Sequence, residues 1–78
     1  MNVPDSLRNA DRHGAVVRTL DHGGESAIVV DFGPDAAVSS DVVGSTVIVV
    51  ADDRQFEFEL PAGATAVSAR NGVLTVSE

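Results

Sequence analysis

The chain has 78 residues, with eight Asp and four Glu against five Arg, a net charge of -7, and no Lys, Cys, Trp or Tyr. The missing Cys excludes a disulfide scaffold, a thiolate metal site and a cysteine nucleophile, and the missing Lys excludes a P-loop. Five scattered Arg against twelve acids supply no basic face for a nucleic acid.

Residues 1–14 are polar and end in Gly14. Asp5 or Ser6 can cap a short turn of helix through Arg12, but so short a helix is marginal on its own. The segment reads as a mobile or loosely docked arm, followed by one β domain over residues 15–78.

From Ala15 onward the pattern is that of strands. Residues 15–20 are rich in β-branched side chains and stop at Asp21-His22-Gly23-Gly24, a strong turn signal. Residues 26–32 alternate, with Ile28, Val30 and Phe32 on one face, until Gly33-Pro34-Asp35 breaks the run. Val38–Val43 is a weaker strand with Val38 and Val42 on one face, closed by Gly44-Ser45. Thr46–Ala51 is nearly all apolar, which predicts a strand covered on both sides. Its apolar run, residues 47–51, is also the longest in the chain and far too short to span a bilayer.

Asp52-Asp53 is a tight turn. Residues 54–60 have the cleanest period of two, with Phe56, Phe58 and Leu60 inward and Gln55, Glu57 and Glu59 outward. Pro61-Ala62-Gly63 stops that strand, since Pro cannot donate to a ladder. Residues 65–69 form a short strand, Asn71-Gly72 favours positive φ and a reversal, and Val73–Ser77 closes the chain with Leu74 and Val76 inward. Seven short strands without an amphipathic helix predict an all-β fold, an antiparallel sandwich or barrel.

The C-terminal half carries a pattern. Phe56-Glu57-Phe58-Glu59-Leu60-Pro61, followed by Val67-Ser68-Ala69-Arg70-Asn71-Gly72-Val73-Leu74-Thr75-Val76, resembles the signature of the small heat-shock protein (alpha-crystallin) domain. In that family a strand ending in Leu-Pro is followed by an apolar-x-Ala strand and an Asn-Gly-Val-Leu hairpin. Val29-Val30-Asp31-Phe32-Gly33-Pro34 looks like the family's upstream strand and its turn. Leu60, Pro61, Ala69, Asn71, Gly72, Val73 and Leu74 carry the motif. The residues have a physical reading of their own: Asn71-Gly72 makes the turn, and Ala69 is small where two sheets meet.

The resemblance implies a β-sandwich of alpha-crystallin or co-chaperone type, and the departures from it bear on function. In microbial members a long loop, carrying a strand exchanged between subunits, lies between the strands matching Thr46–Ala51 and 54–60. Here only Asp52-Asp53 joins them. The family's C-terminal Ile-x-Ile/Val tail has no counterpart before Glu78, and the N-terminal segment lacks apolar client-capturing content. A monomer or weak dimer is the expectation. In the related fold the edges matching Val38–Val43 and residues 65–69 flank a groove for an extended apolar peptide. That implies Val38 and Val42 on one side and Ala66 and Ser68 on the other as candidate liners for a protein partner.

Other constellations are weaker. His13 and His22 sit beside Gly in turns, and no His-x-x-x-His spacing or calcium-loop spacing exists. No Gly-x-Ser-x-Gly elbow is present, and Glu57 and Glu59 read as a solvated strand face. No cofactor, metal, nucleic acid or membrane is expected. Acid excess without Lys, and Val (14) and Ala (10) as most of the hydrophobic residues, look like adaptation to a high-salt cytoplasm. At molar salt the Debye length falls to about 3 Å, so crowded carboxylates scarcely repel. No signal-like segment is present, so a cytoplasmic location is expected. The expected function is an ATP-independent chaperone-like or co-chaperone binding domain shielding apolar client segments. The alternative is an adaptor with one dedicated partner, and nothing points to an enzyme.

Overall fold

The computed structural model describes residues 1–11 and 14–78. It is all-β apart from one short helix. Helix α1 spans Asp5–Asp11 and is followed by β1 (Val16–His22), β2 (Glu25–Asp31), β3 (Val38–Val43), β4 (Thr46–Ala51), β5 (Arg54–Glu59), β6 (Ala66–Arg70) and β7 (Val73–Ser77). All pairings are antiparallel. A four-stranded sheet, in the order β1-β2-β7-β6, packs on a three-stranded sheet, β3-β4-β5. The seven strands and the sandwich plan are those read from the sequence.

The core lies between the sheets. Ile28 and Val30 of β2, Leu74 and Val76 of β7, and Val47 and Val49 of β4 are fully buried, and Phe58 joins them. Each set is spaced by two residues, so each occupies one face of its strand. Alternation also explains the β5 pattern, with Phe58 buried and Glu57 and Glu59 exposed. The reversal after β1 is tighter than the sequence suggests: Asp21 and His22 belong to β1, paired with Ser26 and Glu25, and Gly23-Gly24 alone makes the turn, whereas the Asn71-Gly72 reading holds. Asn71 and Gly72 have φ of 52° and 78°, the two-residue reversal that suits the twist of a hairpin.

Two expectations are corrected. The run Thr46–Ala51 is not covered on both sides: Val47, Val49 and Ala51 are buried, but Val50 is 37% exposed. β4 is the central strand of a sheet with only one face against the core, so its outward Ile48 and Val50 are not buried. The N-terminal segment is not loosely docked either. α1 is short, yet its Leu7 and Ala10, three residues apart on one face, are fully buried in the core. The Pro4 carbonyl accepts from the Leu7 and Arg8 amides, and Ser6 Oγ donates to the Glu57 carbonyl at 2.7 Å. Burying a leucine side chain contributes about 1.5–3 kcal/mol, which outweighs the weak helical propensity of seven residues. Arg12 and His13, read as the helix end and a turn residue, lie outside the described residues.

The helix also decides which sides of the sandwich are open. α1 packs against both β1 and β5, closing the side where those two edges approach. On the opposite side the edge strands β3 and β6 run against each other directly.

Candidate binding edges

β3 is held at its start by a clasp. The Asp52 amide donates to the Ala37 carbonyl at 2.9 Å, and Asp52 Oδ1 accepts from the Ala37 amide at 3.0 Å. At the other end Ser45 Oγ and Thr46 Oγ1 both donate to the Glu59 carboxylate, at 2.8 and 3.1 Å, pinning the β3–β4 turn to β5. β6 is fixed by the Thr65 amide donating to the Ser77 carbonyl at 2.8 Å. Two edge strands are thus held rigidly side by side.

Val38 is half-buried and packs on the core, whereas Val42, on the same face of β3, is 42% exposed. Its neighbour Val43 is 60% exposed on the opposite face. A short stretch of apolar edge therefore faces solvent at the β3 end next to the Gly44-Ser45 turn.

On β6 the sequence reading is off by one residue. Val67 pairs with the buried Val76 and Ala69 with the buried Leu74, so those two take the core face and pack against the cluster. Ala66 and Ser68 alternate with them and sit on the outer face of the four-stranded sheet, both exposed. The β6 residues that face β3 are therefore Val67 and Ala69. The apolar-x-Ala spacing of Val67 and Ala69 carries that signal in the sequence.

The family-motif residues are structural. Leu60 and Pro61 are half-buried, Leu60 against the core, and Leu74 is fully buried. Val73, the neighbour of Leu74, is half-buried on the outer face. Gly72 is buried, and a Cβ there would overlap the Gly33 carbonyl. The Phe32 amide donates to the Gly72 carbonyl at 2.8 Å, so the β6–β7 turn is laced to the segment after β2.

The chain belongs to the DUF7127 family, a family of unknown function. The match covers residues 1–78, the helix and all seven strands. No curated protein and no solved structure matches. Across the DUF7127 match, α1 and the sandwich fall within one family unit.

A concavity lies beside the β4–β5 turn. It is a cleft of about 220 Å³ walled by Phe32 and Phe56, whose rings sit 5.8 Å apart at 36°, with Asp52, Asp53 and Arg54 at its edge. Among the described residues no three His, Cys, Asp or Glu side chains are grouped to hold a metal ion. His22 is exposed at the end of β1. Among the described residues no helix is long and apolar enough to cross a membrane.

Proposed function

We propose that this domain is a non-enzymatic protein-binding module that takes an extended apolar segment of a partner along the β3–β6 side. The observation that carries the reading is the placement of β3 and β6 as adjacent sheet edges with Val42 and Val43 exposed beside them. An edge strand offers backbone donors and acceptors for a further strand, and alternate side chains of that strand find apolar contacts. Val42, Val67 and Ala69 are the contacts on this side, with Val38 beneath. The same two edges flank the peptide groove in the small heat-shock plan that the Leu60-Pro61 and Asn71-Gly72-Val73-Leu74 elements resemble. That supports a chaperone-like or co-chaperone role, acting without ATP and in a high-salt cytoplasm.

A second reading, an adaptor with one dedicated partner, is favoured by one specific feature. β4 and β5 are joined by Asp52-Asp53 alone, with Ala51 paired to Arg54. That link holds no exchanged strand of the kind that builds chaperone assemblies.

The test is client protection in molar salt. A chaperone-like module slows the aggregation of several unrelated clients at near-stoichiometric ratios, and Val42→Arg removes the effect while circular dichroism stays native. No protection of any client, with a single partner recovered from the native cytoplasm, establishes the adaptor. Binding unchanged by Val42→Arg removes the β3–β6 side as the site.

A further inference from the structure

The two outer faces of the sandwich differ in charge. On the three-stranded sheet the outward positions carry Asp41, Glu57 and Glu59 and no basic residue. On the four-stranded sheet Glu25 and Asp31 are matched by Arg18 and Arg70, in a chain whose net charge is -7. That balanced face is also apolar for an outer surface. Ala27 and Val29 of β2, Val73 and Thr75 of β7, and Ala66 and Ser68 of β6 fill the rows between the charges, and Val16 and Leu20, 47% and 53% exposed, flank them on the edge strand β1. A broad neutral, apolar face on an acid-coated molecule marks an interaction surface.

We infer that the outer face of the β1-β2-β7-β6 sheet pairs with the same face of a second copy of this chain. The register makes the face self-complementary. Asp31 on β2, Val73 on β7 and Arg70 on β6 lie in one row across the sheet. A two-fold axis lying in the interface along β7 sets β2 of one copy over β6 of the other. Asp31 then meets Arg70 of the second copy, and Arg70 meets its Asp31. Val73 and Thr75 lie near the axis and meet their own equivalents, and two rows further on Ala27 opposes Ala66. A residue contacting its equivalent on the axis and a pair made twice off it are the marks of an isologous interface. Asp31 Oδ1 accepts from the Gly33 amide at 2.8 Å, leaving the second oxygen for the arginine.

The area fits a weak dimer. With the axis along β7 the strands β2, β7 and β6 overlap and β1 lies outside; three strands about 4.8 Å apart, each contributing about five residues at 3.4 Å, give a footprint of roughly 250 Å² per copy. Side-chain relief about doubles that, so two copies bury on the order of 1,000 Å², the size of a weak, transient interface. The inference is independent of the β3–β6 proposal, which uses the opposite face of β6.

Sedimentation equilibrium from about 10 μM to about 1 mM chain, at a salt concentration where circular dichroism is native, reads the association. The unaltered chain dimerises in that range. Arg70→Glu sets a carboxylate against Asp31 twice, and Asp31→Arg sets two guanidinium pairs together, so each alone raises Kd at least tenfold. Mixed in equal amounts, the two variants form a heterodimer, because both pairs are then of opposite charge. Thr75→Arg, near the axis and away from the Asp31 turn, places like charges together and also raises Kd at least tenfold. Gln55→Arg on the other sheet leaves Kd unchanged. An unaltered chain that is monomeric at about 1 mM, single variants that associate like it, or a mixture that stays monomeric would each overturn the pairing.

Discussion

Asp52 grips Ala37 at two points, its amide donating to the Ala37 carbonyl at 2.9 Å and its carboxylate accepting from the Ala37 amide at 3.0 Å. Asp52 does this from φ of 56°, in the left-handed region, where Asp and Asn are tolerated better than other side chains. One turn residue therefore closes the β4–β5 hairpin and positions the start of β3, the strand on which the proposed binding edge is built. Asp52→Asn keeps both the backbone conformation and an acceptor oxygen, and its stability stays within about 0.5 kcal/mol of the parent. Asp52→Ala loses the hydrogen bond and strains the backbone, and costs about 1–3 kcal/mol. Urea unfolding followed by circular dichroism measures both, and equal midpoints for the two variants would remove the clasp as a stabilising element.

Gly72 is the most tightly enclosed glycine of the fold. Its φ is 78°, it is buried, and a Cβ there would overlap the Gly33 carbonyl, a backbone atom that no rotamer change can move. Gly23 has φ of 60° but open space around its Cβ direction. Comparing the two separates strain from contact. Gly23→Ala costs about 1 kcal/mol from the left-handed backbone alone. Gly72→Ala carries that strain and the overlap, so the β6–β7 turn must move away from the Phe32–Gly33 segment, with a loss of about 3 kcal/mol or more. Thermal melts of the two variants decide it, and a Gly72→Ala melt as mild as that of Gly23→Ala would show that the turn can shift at little cost.

How far the sequence reached depends on the kind of signal. The strands were legible because Ile28, Val30, Phe58, Leu74 and Val76 sit at spacings of two, and because Asn71-Gly72 and Asp52-Asp53 are turn chemistry. The face of β6 is hard to read from sequence because Ala66, Ser68 and Ala69 are all small, so only Val67 marks the inner side. Thr46–Ala51 reads as covered on both sides because six apolar-rich residues cannot distinguish a central strand of a half-exposed sheet from a fully buried one. The helix is weakly marked in the sequence because local propensity over Asp5–Asp11 is low, and what holds it is Leu7 and Ala10 in the core, with α1 packed on β1 and β5, strands far apart in the chain. The charge balance of the two outer faces is invisible without the register, which puts Arg18, Arg70, Glu25 and Asp31 on one face of the four-stranded sheet.

The helix therefore tests as part of the core. Leu7→Ala removes a fully buried side chain from the side that α1 closes and costs about 2–4 kcal/mol. Ser6→Ala removes only the bond to the Glu57 carbonyl and costs about 0.5–1.5 kcal/mol. The measurement is chemical unfolding with m-values. An unchanged midpoint for Leu7→Ala would return α1 to the status of an appended arm. A fall in m-value together with the midpoint would show the helix detaching before the sandwich unfolds.

The acid-coated outer face of the three-stranded sheet gives the salt prediction. Glu57 and Glu59 point the same way on β5, and Asp41 on β3 flanks Ile48 opposite Glu57. Glu59 accepts from Ser45 and Thr46, so its charge is partly compensated, while Glu57 adds repulsion toward Asp41 and Glu59. At about 0.1 M salt the Debye length of about 10 Å spans these separations, and at 1 M, about 3 Å, it does not. Glu57→Gln is therefore expected to stabilise the domain by a few tenths of a kcal/mol in dilute salt and to make no difference in molar KCl. The parent chain itself gains stability as KCl rises over the same interval. Paired thermal melts of the two proteins at both salt levels provide the check. A Glu57→Gln benefit that persisted at molar salt would assign the effect to packing or solvation of the side chain rather than to repulsion among the carboxylates.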